Sequence, residues 1–381
     1  MTWLTEERLR LYPRALIGAL LLTLLAVAAV FGLGNPKERF GGDFPAFHAA
    51  GELVYAGEGA LLYDRARQAA AQADYLPGGE WLPYPYPPPL AVLEAVLAPL
   101  PYGLAFLVHT LGMLGCLAVA VAVLRPVLPR SLRWGEAAFA GAALFYPMTR
   151  ALLGAQGTPL AVVLLALTVR ALQDDRPGLA GLWAGLLLYK PQLGLPLVGL
   201  VLLRTRGRSV PASVAVAAVF QGVSMAVAGA DWHLRWWAMV QWFQTGAQAL
   251  EVRTSVSLVA VAEALLGLGS PLALGIGGIA TLAVVVAVSA LWWRPGPLSW
   301  RLAAAGLALP LIPPHGLFYD AGLAVVALWV FAQEERAGGV VALWVGGLGA
   351  LVAASLGVQP LAAVLVVGFV WAVSQGWRAS C

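Results

Sequence analysis

Seven polar side chains in this largely apolar chain are of types that could transfer a proton or bind an anion. They are Asp43, Arg150, Gln156, Lys190, Arg253, His315 and Asp320. A carboxylate can take a proton from a hydroxyl, a cation can bind a phosphate, and an imidazole can do either. The residues are far apart in the sequence, so the fold must bring them together.

Asp43 is the strongest candidate for a reactive group. It follows Gly41 and Gly42, and glycines allow the positive φ angles of a tight turn that could aim a carboxylate. It also precedes Phe44 and Pro45, and an Asp before a helix that begins with proline is a common N-cap. The residues alone favour neither role over the other, and the two roles are compatible.

Lys190 is one of only two lysines, and Pro191 follows it directly at the end of an apolar run. A cation at membrane depth is costly, which favours a functional role such as phosphate binding. The alternative is a lysine at a helix end whose ammonium reaches the membrane surface.

Two further interruptions of apolar segments carry the other candidates. His315 and Asp320 lie in the stretch 313–320, where His315 either contacts a phosphate or a hydroxyl, or is a structural histidine at a helix start. Arg150 and Gln156 belong to another turn, and both could donate to phosphate or sugar oxygens.

The composition indicates a single integral membrane domain, 1–381. Hydrophobic residues make up 60% of the chain and charged residues 11%, whereas soluble domains carry about 25% charged residues. We therefore predict an all-α polytopic bundle with about 12 transmembrane segments. They are 16–33, 103–124, 135–150, 158–172, 178–190, 191–203, 210–228, 271–293, 299–313, 316–332, 338–356 and 361–376.

The arginines and lysines indicate how the bundle is oriented. With both termini in the cytoplasm, 15 of the 23 Lys and Arg residues fall on the inner side, as the positive-inside rule requires. The stretch 256–268 is then a short outer or re-entrant helix. This orientation places all seven candidates near the outer ends of spans. It also predicts a first outer loop, 34–89, with amphipathic helices, and a second, 229–270, with short helices.

Several classes of function are excluded by what the sequence lacks. It has no P-loop, no dinucleotide-binding glycine motif and no His-Glu-x-x-His motif. Its two cysteines and four histidines show no metal-ligand spacing, and the net charge of +4 is too small to indicate nucleic acid. We expect neither a cofactor nor a metal, and no nucleic-acid partner.

The chain resembles glycosyltransferase family 87 of the polytopic GT-C superfamily, which includes polyprenol-phosphate-mannose-dependent mannosyltransferases. The matching pieces are, in order, Gly42-Asp43-Phe44, Ala49-Ala50-Gly51, Gly57, Leu62-Tyr63-Asp64, Tyr86-Pro87-Pro88-Pro89-Leu90, Ala98 to Tyr102, Gln156, Leu179 to Leu186, Lys190-Pro191-Gln192, Pro314-His315 and Tyr319-Asp320. One departure is visible: the family commonly has Gly-Gln-x-Asn or Gly-Gln-Asn where this chain has Ala155-Gln156-Gly157-Thr158. The departure weakens the role of Gln156.

The resemblance implies transfer of a sugar, such as mannose or another hexose, from a polyprenyl-phosphate donor to a lipid or glycan acceptor. It implies that the reaction occurs at the outer face of the cell membrane with inversion, and that Asp43 is the general base. Lys190 and His315 would bind the departing phosphate, assisted by Arg150 or Arg253, while Gln156 and Asp320 would belong to the same substrate-binding group.

Two alternatives remain open. A secondary transporter would also have broken helices with charged residues between them. A polysaccharide polymerase or ligase would differ in using a lipid-diphosphate donor.

Overall fold

A computed structural model describes residues 6–32, 41–76, 80–314 and 316–380. Within these ranges the chain forms α-helices and short 3-10 helices without a β-strand, apart from one isolated bridge between Ser255 and Leu317. The predicted all-α class is confirmed.

The first half of the chain forms ten α-helices within the described ranges. They are α1 Glu6–Gly32, α2 Phe44–Tyr55, α3 Arg65–Gln72, α4 Pro88–Ala95, α5 Tyr102–Leu124, α6 Gly135–Ala143, α7 Tyr146–Leu153, α8 Thr158–Gln173, α9 Pro177–Leu186 and α10 Pro191–Thr205. Short 3-10 helices lie at Gly59–Leu61 and Leu187–Tyr189.

The described part of the second half adds nine α-helices. They are α11 Val210–Ala228, α12 Trp232–Thr254, α13 Leu258–Leu266, α14 Pro271–Trp293, α15 Leu298–Ala308, α16 Val325–Gln333, α17 Ala337–Gly347, α18 Ala353–Leu356 and α19 Leu361–Arg378. The 3-10 helices here are Phe318–Ala324 and Leu348–Leu351.

Four of the described helices, α5, α11, α14 and α19, are long and apolar enough to cross a membrane. Only 17% to 39% of their apolar windows is buried inside the protein, so large apolar surfaces face outward, where lipid would cover them. Helices α7 and α8 pass the same test as one span, although they meet at a bend of 118°. The protein is therefore a polytopic membrane protein. The number of twelve crossings and their orientation stay predictions.

Shorter helices fill the centre of the bundle. Residues 300–308 of α15 and residues 325–331 of α16 are all buried. Apart from Arg301 these residues are uncharged and almost all apolar, as expected for helix segments that other helices surround. Gly306 allows α15 to approach α16 closely, because a Cβ atom there would collide with the side chain of Val326.

The stretch predicted as the first outer loop, 34–89, contains α2, the Gly59–Leu61 helix, α3 and the start of α4 in its described part. Residues 33–40 and 77–79 lie outside the described residues. The stretch 229–270 holds α12 and α13, and α12, with 23 residues, is longer than the short helices expected there.

A cluster of buried polar side chains joins α2, α4 and α5. Glu94 Oε1 lies 3.2 Å from His109 Nδ1, and both side chains are nearly inaccessible. The ring of Phe44 lies 5.5 Å from the rings of both His48 and His109. Among the described residues, His48 Nδ1, Glu94 Oε2 and His109 Nε2 have no hydrogen-bond partner. The cluster thus holds α2 in place but tolerates an added charge poorly.

Burial lowers the pKa of His48 from 6.5 to about 4, and the nearby Glu94 opposes this shift only in part. The unfolded chain therefore binds a proton between these two pH values while the folded chain does not. The stability contributed by neutral His48 is complete above about pH 6.5 and is lost as the pH falls towards 4.

We expect the unfolding temperature of the detergent-solubilised protein to fall as the pH is lowered through this window. The loss for this one group corresponds to about 3 kcal/mol. His48→Gln, which cannot titrate, should make the dependence shallower, whereas His233→Gln, at an exposed position, should leave it unchanged. An equally steep dependence in His48→Gln would contradict the assignment.

Candidate active site

Asp43 is positioned by a contact between two turns. The turn before α2 uses Gly41 and Gly42 with φ angles of 88° and 60°. A Cβ atom on Gly42 would lie 2.7 Å from Gly154 Cα, and the Asp43 amide donates to the Gly154 carbonyl at 3.4 Å. Both glycines of the predicted tight turn are therefore required by its geometry, and the turn docks onto the bend between α7 and α8.

The Asp43 side chain does not cap α2. The residue occupies the N-cap position, but its side chain makes no capping hydrogen bond. Instead, its Oδ2 accepts a hydrogen bond of 2.6 Å from Gln156 Nε2, and the residue is half-buried. The carboxylate therefore points towards the bend that carries Gln156.

Gln156 connects three other parts of the chain to Asp43. It lies in the bend between α7 and α8, next to Ala155 with a φ angle of 53°, and is 1% exposed. Its Oε1 accepts from the Tyr86 hydroxyl at 3.1 Å and from Lys190 Nζ at 3.4 Å. An amide can donate and accept at once, so Gln156 links the carboxylate to the cation.

Lys190 lies between the Leu187–Tyr189 helix and α10, which begins at Pro191. Its Nζ donates to Asp320 Oδ1 at 2.8 Å, and the two side chains are 1% and 5% exposed. Asp320 lies in the 3-10 helix Phe318–Ala324, which directly precedes α16. A buried ion pair of this kind holds two distant breaks in the helices together.

Aromatic rings and a hydroxyl surround the ion pair. Lys190 Nζ lies 5.9 Å from the ring centre of Tyr86 and 5.5 Å from that of Tyr319, within the range of cation–π attraction. Thr158 Oγ1 donates to Asp320 Oδ1 at 3.4 Å. The ammonium thus has a negative partner and two ring faces around it.

Two cavities reach this cluster from different sides. The first, the aromatic cavity, has a volume of about 230 Å³ and is lined by Pro85, Tyr86, Pro191, Gln192, Trp236, Trp237, Val240, Phe243, Pro313, Pro314, Leu317, Tyr319 and Asp320. The second, the α4–α5 groove, has a volume of about 280 Å³ and is lined by Phe47, Tyr86, Leu90, Leu93, Glu94, Val96, Leu97, Val108, His109, Gly112, Met113, Ala155, Gly157, Leu160 and Lys190. Tyr86 lines both.

The structure brings together four of the seven candidates by direct hydrogen bonds, namely Asp43, Gln156, Lys190 and Asp320. Arg150 on α7 and Arg253 near the end of α12 are exposed and do not belong to this chain of hydrogen bonds. His315 lies outside the described residues. No group of three or more His, Cys, Asp or Glu side chains suited to a metal occurs among the residues described. The roles of all seven residues, and metal independence, stay predictions.

Tyr86 is the main contributor that sequence reasoning missed. In the sequence, Tyr86 stands out only within Tyr86-Pro87-Pro88-Pro89-Leu90, one of the pieces that resemble the family. The prolines of this piece begin α4, but the Tyr86 hydroxyl also donates to Gln156. Tyrosines between prolines could have signalled rings held in fixed positions, although nothing in the stretch indicated their partners.

A family model, described as glycosyltransferase family 87, matches residues 84–314, well over half of the chain. The chain belongs to glycosyltransferase family 87. It is therefore a membrane glycosyltransferase, and the resemblance seen in its motifs is confirmed. The matched stretch contains Tyr86, Gln156 and Lys190, while Asp43 and Asp320 lie outside it. No curated protein and no solved structure matches the chain.

The Lys190–Asp320 pair gives a direct test of the geometry of this glycosyltransferase. Lys190→Met should lower the unfolding temperature, because it leaves the Asp320 carboxylate buried without its cation. The double variant, with Lys190→Met and Asp320→Asn, should recover part of this loss. The coupling free energy between the two substitutions should be about 1–3 kcal/mol. Thermal unfolding of the wild type, both single variants and the double variant measures the coupling. Strictly additive losses would show that the two side chains do not form a pair.

Proposed function

We propose that this glycosyltransferase transfers a sugar from a polyprenyl-phosphate donor to a hydroxyl of a lipid or glycan acceptor. The reaction takes place at the outer side of the membrane, with inversion at the anomeric carbon and with Asp43 as the general base. The observation that carries the proposal is the chain of hydrogen bonds from Asp43 through Gln156 to Lys190. It holds a carboxylate and an ammonium, the two charges that the reaction requires, in one fixed arrangement.

In this reaction the acceptor oxygen attacks the anomeric carbon as its proton moves to Asp43. The bond between that carbon and the phosphate oxygen breaks, and its electron pair leaves with polyprenyl phosphate. A carboxylate within hydrogen-bond reach of the hydroxyl supports such a step, because it removes the proton as the oxygen becomes positive. Attack from the face opposite the phosphate inverts the configuration.

The phosphate requires donors of positive charge, and Lys190 is suited to this role. An ammonium has three N–H groups, and those of Lys190 donate one hydrogen bond to Asp320 and one to Gln156. The third has no acceptor among the described residues and remains for a phosphate oxygen. Because the ammonium is buried, its attraction to negative charge is screened less than in water. His315, between Pro314 and Gly316, is the second candidate donor from the sequence.

Two cavities that meet at the cluster suit a reaction of two substrates. Tyr86, Tyr319, Trp236, Trp237 and Phe243 give the aromatic cavity several ring faces, on which the C–H faces of a sugar can pack. This cavity also reaches Asp320 and Gln192, which can hydrogen-bond to hydroxyl groups. We assign sugar binding to this cavity.

Replacing Asp43 by Asn should remove the base and leave its hydrogen bond to Gln156 open to rearrangement. We expect transfer to fall by about 10²–10⁴-fold, the usual contribution of a general base. The matched control is Asp64→Asn, since Asp64 is exposed and its side chain caps α3. Release of polyprenyl phosphate from candidate polyprenyl-phosphate sugars, in reconstituted vesicles, measures the rate.

Full activity in Asp43→Asn would exclude the general-base assignment. The released product also tests the donor class, because a polymerase or ligase with a lipid-diphosphate donor would release the diphosphate instead. A transporter would move its substrate across the vesicle membrane without breaking a bond.

Gln156→Glu tests whether Gln156 acts on the base. A second carboxylate 2.6 Å from Asp43 Oδ2 would raise the pKa of the base, since two like charges disfavour ionisation of both. We expect the acidic limb of the pH profile of kcat/KM to move to higher pH by about one unit. Gln173→Glu, at an exposed position at the end of α8, should leave the profile unchanged. An unmoved acidic limb with reduced stability would assign Gln156 a purely structural role.

A further inference from the structure

A further apolar groove lies beside α10, away from the hydrogen-bonded cluster. This α10–α14 groove has a volume of about 690 Å³ and is lined by residues of α10 and α14 and by Ile312. It runs from Pro196, in the first half of α10, to Arg206, which directly follows that helix. About ten residues of helix span roughly 15 Å, so the groove covers about half the thickness of the hydrocarbon core of a bilayer.

The surface that the groove offers to a ligand is apolar over almost all of its length. Apart from Ser289 and Arg206, the side chains that line it are apolar. Only 22% of the apolar window of α14 is buried inside the protein, so lipid would cover much of this helix. A polar ligand in the groove would lose its hydrogen bonds to water, whereas a hydrocarbon chain would lose nothing of this kind.

The end of the groove has a cation beside an aromatic ring. The Arg206 guanidinium lies 6.0 Å from the centre of the Trp293 ring, within the range of cation–π attraction, and both residues are exposed. Tryptophan is enriched at the level of lipid headgroups, and arginine is typical of the membrane surface. The groove therefore ends where the phosphate of a phospholipid would lie.

The positive charges at this end have no carboxylate beside them. Arg204, Arg206 and Arg294 form no ion pair within the described ranges. Arg301 is only 1% exposed, and its guanidinium donates to backbone carbonyl oxygens at and after the end of α14 rather than to a carboxylate. Four cations without a protein anion create a positive potential that attracts a negatively charged ligand.

We propose that the α10–α14 groove binds an anionic phospholipid of the surrounding bilayer, with one acyl chain along the groove and the phosphate at Arg206. A lipid with net negative charge is favoured over a zwitterionic one, because a choline headgroup would bring a further positive charge to this end. The site is separate from the proposed reaction. Along α10, Arg206 lies roughly 24 Å from Lys190, so one phosphate cannot contact both.

The groove between α17 and α19 is similar in shape but differs in charge. It has a volume of about 570 Å³ and is lined by Arg336. Glu334 and Glu335 directly precede this arginine, so two carboxylates oppose its charge. We therefore assign the anionic lipid to the α10–α14 groove.

The chain offers matched variants for the acyl chain and for the charge. Gly199 on α10 lines the groove and Gly278 on α14 does not, and a Cβ atom at either position would meet nothing within 4 Å. Gly199→Phe should fill the groove, whereas Gly278→Phe adds the same ring outside it. Arg206→Gln removes the cation of the groove. Arg208→Gln removes an arginine of the same turn that does not line the groove and lies 3.1 Å from Asp175.

Native mass spectrometry of the purified full chain in detergent counts bound lipids and also reads the oligomeric state. The titrants are phosphatidylglycerol and phosphatidylcholine with the same acyl chains, and inorganic phosphate. We expect the wild type, Gly278→Phe and Arg208→Gln to bind the first phosphatidylglycerol at least about fivefold more tightly than phosphatidylcholine. Arg206→Gln should lose most of this preference, because one surface arginine contributes about this factor. Gly199→Phe should weaken binding of both lipids, because it blocks the acyl chain.

Each of the other outcomes would overturn the assignment in a distinct way. Equal losses in Arg206→Gln and Arg208→Gln would show a diffuse basic surface, and unchanged binding in Gly199→Phe would place the acyl chain elsewhere. Inorganic phosphate that binds as tightly as phosphatidylglycerol would make this a site for a free anion. A wild-type dimer that Gly199→Phe dissociates would show that a second copy of the chain occupies the groove. None of these results bears on release of polyprenyl phosphate, which tests the proposed function separately.

Discussion

The buried pair of Lys190 and Asp320 is the interaction on which the rest of the site depends. Each residue lies where a membrane helix is interrupted, and each charge would be costly without the other. Their attraction fixes the break between α9 and α10 against the segment before α16. Gln156 then extends this arrangement to Asp43, which comes from a different part of the chain. The carboxylate is thus held by a network whose far end is an ion pair rather than by its own helix.

Much of the fold follows from composition alone. An apolar chain of this length with few charges must satisfy its backbone in helices, and the interruptions at Lys190 and Pro314 are visible as prolines beside polar residues. The lengths of the crossing helices were less predictable. Helices α15 and α16 are short and are buried among other helices, and a buried apolar helix has the same sequence pattern as one that faces lipid. Periodicity does not separate the two cases.

The site was predictable in its residue types and less so in its connections. Asp43, Lys190 and Asp320 were unusual enough to be selected as charges beside helix interruptions. Gln156 and Tyr86 were undervalued because a neutral side chain is inexpensive anywhere near a membrane surface, and its importance comes only from its partners. Conversely, Arg150 and Arg253 were selected for their charge, yet their side chains are exposed and lie outside the hydrogen-bonded network. A charged residue in an apolar sequence shows that burying it would cost free energy. The hydrogen-bond partners of a residue, by contrast, are known only from the folded structure.

The contact between Gly42 and Gly154 joins the segment that carries Asp43 to the membrane bundle without any side chain. A Cβ atom at Gly42 would come within 2.7 Å of Gly154 Cα, closer than real Cβ contacts occur, so any larger residue must push the two turns apart. The hydrogen bond from Gln156 to Asp43, at 2.6 Å, would lengthen with them. A substitution at Gly42 is therefore expected to disturb the position of Asp43, although Gly42 has no group that could touch a substrate. The close backbone contact between Gly42 and Gly154 therefore determines where the Asp43 carboxylate lies.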